Sequence, residues 1–230
     1  GVAALLTYVP AGPLWLLWVF GVETWWTVPL ALLTAVGAVV TVWCTGMIYA
    51  SLRTIRQWHQ RLVPVVYLAL GGASGAVLFA LISALFGGGA AGPSILALVL
   101  LAAALALKLA YFSRVDGGSP VYTIQMALGL SPTAKVRVLD PPHTRPNYVM
   151  REMGYAVARK HAVKLRRIAL GLLFALPILL TLIAAFTGAL AALFLALAMV
   201  SLAAGLFVER WLFFAEAEHV SMLYYGREQA

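Results

Sequence analysis

The chain has 230 residues, a formal net charge of +8, 63% hydrophobic residues and only 10% charged ones. Ordinary globular domains carry roughly a quarter charged residues, and a soluble fold this apolar would expose patches that drive aggregation, so a water-soluble domain is excluded. The basic residues sit in loops between apolar runs, with no interleaved aromatic and basic stretch; this excludes a nucleic-acid surface and fits one face of a membrane protein.

A bilayer core about 30 Å thick needs roughly 20 apolar residues per helix. Six runs meet that length: Val2–Phe20, Val28–Leu52, Leu62–Phe86, Ser94–Val115, Ile168–Thr187 and Leu190–Phe214. None alternates polarity as a spanning strand does. The expected fold class is therefore an all-α integral membrane protein, one bundle of six transmembrane helices over residues 1–230, with a polar loop at about 116–164. Pro10 and Pro13 are expected to kink or break the first span, and Pro177 the fifth. Cys44, the one cysteine, lies inside the second run and is expected to be ordinary buried packing; alone it builds neither an intrachain disulfide nor an iron–sulfur centre. The Gly71–Gly75 spacing on the third run is expected to let a neighbouring helix approach closely. The chain opens at Gly1 within an apolar run, with no initiator Met and no basic region of a signal peptide, so upstream residues are expected.

The connections alternate in charge. Residues 21–27 hold one acid, Glu23, beside Trp25 and Trp26, which suit an interfacial aromatic belt; residues 87–93 and the turn near Gly188 are uncharged. Arg53, Arg56 and Arg61 fill the second connection, and ten Lys and Arg lie between Arg114 and Arg167. If six helices cross in turn, all the basic loops share one face. The positive-inside rule places that face, and both ends of the chain, in the cytoplasm. Within the long loop, Pro141, Pro142 and Pro146 predict a rigid extended stretch over Asp140–Tyr148. Met150–Lys164 is basic and reads as a helix leading into the fifth span. A polybasic segment attracted to anionic lipid is one reading; the Pro-rich portion favours a docking surface for a cytoplasmic partner.

No acid occurs between Thr24 and Val115, which disfavours an ion-coupled transporter. Lys108 lies about seven residues before its run ends, roughly 10 Å of helix, and reads as a snorkelled anchor or, alternatively, as a contact to a quinone head group. His59, His143, His161 and His219 all fall on the basic face, too shallow to ligate a haem between spans. Near the end, Glu209-Arg210-Trp211 is followed by Glu216, Glu218 and His219. A helix running beyond the membrane with local ion pairs is the plain reading; a surface joining the bundle to a redox partner is the functional one. No catalytic constellation, metal motif, P-loop or dinucleotide fingerprint is present, so catalytic and metal-ligating residues are not expected.

Four ordered motifs carry a family resemblance: Cys44-Thr45-Gly46-Met47-Ile48-Tyr49-Ala50-Ser51-Leu52 closing at Trp58-His59; Lys108-Leu109-Ala110-Tyr111; the Asp140–Arg151 loop; and Glu209-Arg210-Trp211-Leu212-Phe213-Phe214-Ala215-Glu216. With them the chain resembles the DmsC-type membrane anchor subunits of dimethyl sulfoxide reductase-family molybdoenzymes. The Asp140-Pro141-Pro142-His143-Thr144 and Arg151-Glu152-Met153-Gly154-Tyr155 segments are most similar to anchors of sulfite:quinone dehydrogenases. The resemblance implies a non-catalytic subunit in a bacterial inner (cytoplasmic) membrane. A molybdopterin catalytic subunit and an iron–sulfur subunit would lie on its cytoplasmic face, and electrons from sulfite would pass through them to quinone as substrate, with no cofactor covalently bound here. Family members usually have eight spans, so two N-terminal helices and the family's His-x-Gly motif are expected upstream. Candidates for quinone contact are Tyr49, Arg53, Lys108, Tyr111 and His219, which can hydrogen-bond near the basic face. Candidates for partner docking are Arg137, His143, Arg145, Tyr148, Arg151 and Arg210. The alternatives are a quinol-oxidising anchor of a sulfoxide-type reductase and a purely structural anchor.

Overall fold

The computed structural model describes residues 1–117, 122–137, 139–140, 145 and 161–225. The long helices are α1 (Val2–Val19), α2 (Thr27–Ala50), α3 (Leu62–Leu85) and α4 (Ala91–Asp116). A short α5 (Ile124–Leu128) follows, then α6 (Ala162–Leu170), a π-helical turn (Gly171–Ala175), α7 (Leu176–Phe186) and α8 (Ala191–Ala215). With α6, the π turn and α7 forming one span, six helices are long and apolar enough to cross a membrane, and no strand forms among the described residues. The fifth span begins six residues earlier than its apolar run, carrying Lys164, Arg166 and Arg167 inside the helix.

In lipid, hydrophobicity does not say which face of a helix is buried; side-chain size and contact do. The buried stripes repeat at three- and four-residue steps: Val63, Val66, Leu70, Ala73 and Val77 on α3; Ser94, Ala97, Leu101, Ala104, Lys108, Tyr111 and Val115 on α4; Ala191, Leu195, Ala198, Leu202, Gly205, Glu209 and Leu212 on α8. α3 packs on α4 and α8, and α4 on α7, enclosing the core. α1 and α2 stand outside it, burying only Leu14 and Gly46 respectively.

Glycine lets backbone approach backbone most closely at two points, neither of them the expected one. A β-carbon on Gly46 would lie 2.6 Å from Pro64 Cα, and one on Gly205 would lie 2.5 Å from the Leu173 nitrogen. Gly71, Gly72 and Gly75 meet nothing within 4 Å, and none of them is buried; the expectation that they seat a neighbouring helix is corrected, because the register of α3 turns Val66, Leu70, Ala73 and Val77 to its neighbours instead. Cys44 is likewise exposed on the outer side of α2 rather than buried. Pro10 and Pro13 lie within an unbroken α1. Each removes a single backbone hydrogen bond, which a helix flanked by α2 tolerates. Pro177 does perturb its span: the preceding turn widens, with the Leu176 N–H reaching the Gly171 carbonyl. In that widened register Pro177 offers no N–H to the Leu172 carbonyl, which instead accepts from Ser201 Oγ of α8 at 2.8 Å.

Candidate functional site

The carboxyl ends of α2, α4 and α8 and the amino ends of α3 and α6 meet at the basic end of the bundle. Residues 51–61 fold back under it. Tyr111 Oη donates to the Gln57 carbonyl at 3.1 Å, Trp58 Nε1 to the Phe213 carbonyl at 2.8 Å and Arg56 Nη1 to the Val115 carbonyl at 2.7 Å. The Glu218 N–H donates to Gln57 Oε1 at 3.1 Å, and Ile55 makes an isolated antiparallel bridge with His219. Helix ends that would otherwise face water are thus sealed by a loop and by the tail after α8.

Below this seal sits a buried charge cluster. Lys108 does not snorkel: its Nζ pairs with Glu209 Oε1, and the two side chains are 3% and 2% exposed. The cause is register, since both residues occupy the contact stripes of their helices. Glu209 also accepts from Arg210 Nε and from Arg210 Nη2, the latter at 2.7 Å. The Arg210 guanidinium lies 4.3 Å from the Tyr67 ring centre and 4.7 Å from that of Phe213, and Lys108 Nζ lies 4.4 Å from the rings of Tyr111 and Phe112. One carboxylate thus serves two cations, each resting on aromatic faces. Nearer the aqueous edge, Arg166 bridges Glu216 at 2.7 Å and Asp116 at 2.9 Å, and Arg56 meets Glu218 at 3.4 Å.

Free space runs past the cluster in steps. A polar cavity of about 320 Å³ opens among Arg56, Asp116, Arg166, Glu216 and Glu218. Gln57 and Glu216 also line a second cavity of about 10 Å³ against Lys108, Tyr111 and Glu209, room for one water. Beyond it, Lys108, Tyr111, Tyr67, Arg210 and Phe213 close around a gap without room for water. Tyr67 and Arg210 then form the inner wall of a groove of about 160 Å³ between α3 and α8, floored by Leu70, Gly71, Ser74 and Leu206. Arg210 Nη1 is buried and has no hydrogen-bond partner among the described residues. A separate groove of about 440 Å³ lies between α2 and α3, with His59, Gln60 and Arg61 at its rim and Trp43, Met47, Ala50 and Pro64 below.

The quinone candidates read from sequence do not converge on one pocket. Lys108 and Tyr111 lie together in the interior. Tyr49 is packed among Trp58, Phe213, Phe214 and Tyr67, with ring centres 5.3–6.0 Å apart. His219 is half-buried with its ring edge-on to Trp58, and Arg53 is exposed in the loop. Of the docking candidates, Arg137 and Arg145 are exposed, while His143, Tyr148 and Arg151 lie outside the described residues. Arg210 is held by Glu209 and lies over the Tyr67 ring, with its side chain 26% exposed. Sequence reasoning missed Tyr67, Gln57 and Arg166, and read Glu216 only as part of a surface towards a redox partner. The usable signal was register, because stepping back from Lys108 by four and three residues meets Ala104, Leu101, Ala97 and Ser94, all small or apolar contact positions.

No family model and no solved structure matches the chain. Among curated proteins it is similar to the C subunit of the sulfite dehydrogenase of Allochromatium vinosum, with 32% identity over 236 residues, covering 91% of this chain and 69% of the relative. Identity of that extent, over nearly the whole chain, reaches well beyond shared hydrophobicity: the chain belongs to the family of sulfite dehydrogenase membrane anchor subunits.

Proposed function

We propose that the chain is the membrane subunit of a sulfite-oxidising complex and that it reduces quinone in the groove between α3 and α8. The observation that carries this reading is the order along the bundle of an aqueous cavity, a buried carboxylate and, beyond a gap closed to water, a groove on the outer surface. Quinone reduction consumes two electrons and two protons. The electrons come from sulfite through the iron–sulfur and molybdopterin partner subunits, and the protons come from water at the basic end by way of Glu216 and Glu209. Tyr67 and Arg210 form the inner wall of the groove, so a carbonyl oxygen seated there approaches the guanidinium. The same guanidinium stabilises negative charge developing on that oxygen as the ring is reduced. Counting 1.5 Å per residue, Tyr67 and Arg210 lie roughly 8 Å inside their helix ends, a depth that leaves the isoprenoid tail in hydrocarbon beside the open Gly71–Gly75 face.

Gly71→Leu fills the groove without touching the fold, because a β-carbon there meets nothing within 4 Å. In the purified complex this variant raises the KM for quinone at least tenfold, while sulfite oxidation with a soluble acceptor such as ferricyanide is unchanged. Unaltered quinone kinetics would remove the groove as the site. Loss of both activities would instead mean that the complex had not assembled.

A further inference from the structure

We propose that the groove between α2 and α3 binds one anionic phospholipid, its phosphate held by Arg61 and its upper acyl chain lying against Trp43 and Met47. The groove holds about 440 Å³ and opens on the outer surface of the bundle, where Trp43 and Met47 are 41% and 42% exposed. It is polar only at its rim. Counting from Ala50, Met47 and Trp43 lie about 5 and 10 Å deeper along α2, which matches the span from a phospholipid phosphate to the first methylenes of its chains.

The rim is cationic and stays so within the fold. Among the described residues, Asp116, Glu209, Glu216 and Glu218 pair with Arg166, Lys108, Arg210 and Arg56, and no carboxylate pairs with Arg61. His59 Nδ1 donates to the Ala50 carbonyl at 2.7 Å, since a carbonyl can only accept, and this fixes the ring as one wall of the rim. Arg61 is also the N-cap of α3 and makes no side-chain cap bond, so the positive end of a 24-residue helix adds to the same field. A neutral quinone ring gains little from this arrangement, whereas a phosphodiester anion with an apolar tail complements both halves of it. Depth separates the two grooves in the same way, with head-group chemistry at the rim and ring chemistry farther in.

The test uses the whole complex, purified in mild detergent and placed in nanodiscs of phosphatidylcholine containing one phosphatidylglycerol in twenty lipids. Lipid retained after detergent re-extraction is counted by native mass spectrometry. Wild type retains one phosphatidylglycerol per complex. Arg61→Gln lowers that affinity about fivefold and Arg61→Glu about thirtyfold, as follows from roughly 1 kcal/mol per cation near a charged membrane surface. Trp43→Ala weakens retention of the lipid but leaves binding of glycerol phosphate unaffected. Arg61 is exposed, so both variants keep the fold, and unchanged sulfite oxidation with ferricyanide verifies it. Equal retention by wild type and Arg61→Glu would overturn the proposal, as would full competition by glycerol phosphate alone. Photolabelling of Met47 by an azidoquinone, undiminished by phosphatidylglycerol, would also overturn it and would assign this groove to quinone.

Discussion

The buried cluster makes a sharp prediction about which of its members the fold needs. Glu209 neutralises two cations at once, so the two sides of the Lys108–Glu209 pair are not equivalent. Lys108→Met removes one buried charge together with its solvation penalty and leaves Glu209 with both Arg210 hydrogen bonds, at a net cost within about 1 kcal/mol. Glu209→Gln leaves Lys108 and Arg210 facing one neutral amide in a space where the side chains are nearly inaccessible. Such an uncompensated buried charge costs about 3–5 kcal/mol. For a chain of this size 1 kcal/mol corresponds to roughly 2–4 °C in Tm, so Glu209→Gln lowers Tm by about 6–20 °C while Lys108→Met moves it by no more than about 4 °C. Thermal unfolding in nanodiscs, followed by tryptophan fluorescence, reads the difference. The double variant Lys108→Met/Glu209→Gln recovers part of the loss, since only Arg210 is then unpaired. Equal destabilisation by the two single variants, or a double variant no better than Glu209→Gln, would refute the assignment of one carboxylate to two cations.

Three further outcomes follow from the packing and from the proton path. Ser201→Ala leaves the Leu172 carbonyl without a donor at the π turn, costing about 1–3 kcal/mol and visible as a lowered Tm in the same assay. Gly205→Ala drives a β-carbon into backbone 2.5 Å away, which no side-chain rotation relieves; α8 must move off the fifth span, at about 1–3 kcal/mol or more, and the yield of assembled complex falls. Glu216→Gln interrupts the route between the two polar cavities. Quinone reduction slows, ferricyanide reduction does not, and a small weak acid such as formate restores part of the quinone rate.

The six spans were legible because the bilayer sets their length and because apolar runs of that length have few other uses. Their inner faces were harder to read. Gly71 and Gly75 have the spacing of a contact motif but lie on the outer face of α3, while Gly46 and Gly205, with no such spacing, meet neighbouring backbone. A glycine pair states that close approach is sterically allowed, not that a neighbour arrives. Lys108 shows the same ambiguity in another form. Its distance from the helix end fits snorkelling, and that distance decides nothing until the register against α8 places Glu209 opposite. Once Lys108 is aligned with the small or apolar residues at 104, 101, 97 and 94, and Glu209 with those at 205, 202 and 198, both fall on contact stripes. The single carboxylate at depth then has an obvious partner. The connection at 51–61 was legible as basic but not as a seal, because the bonds of Gln57 and Trp58 depend on where α4 and α8 end.

Pairing within the fold sorts the cations at the basic end into two groups that respond differently to salt. Among the described residues, Arg56 meets Glu218, Lys108 and Arg210 share Glu209, and Arg166 meets both Glu216 and Asp116. Arg53, Arg61, Arg114, Lys164 and Arg167 are exposed, and among the described residues none of those carboxylates pairs with them. The Debye length is about 8 Å at physiological ionic strength and about 3 Å at 1 M, so salt screens exposed charges and leaves buried pairs nearly untouched. Rising salt therefore weakens any attraction to the exposed rim before it disturbs the ion pairs of Glu216 and Glu209. Among the described residues, Asp116, Glu209, Glu216 and Glu218 are committed to pairs at the helix ends and in the interior, and the exposed cations are left to face the membrane surface.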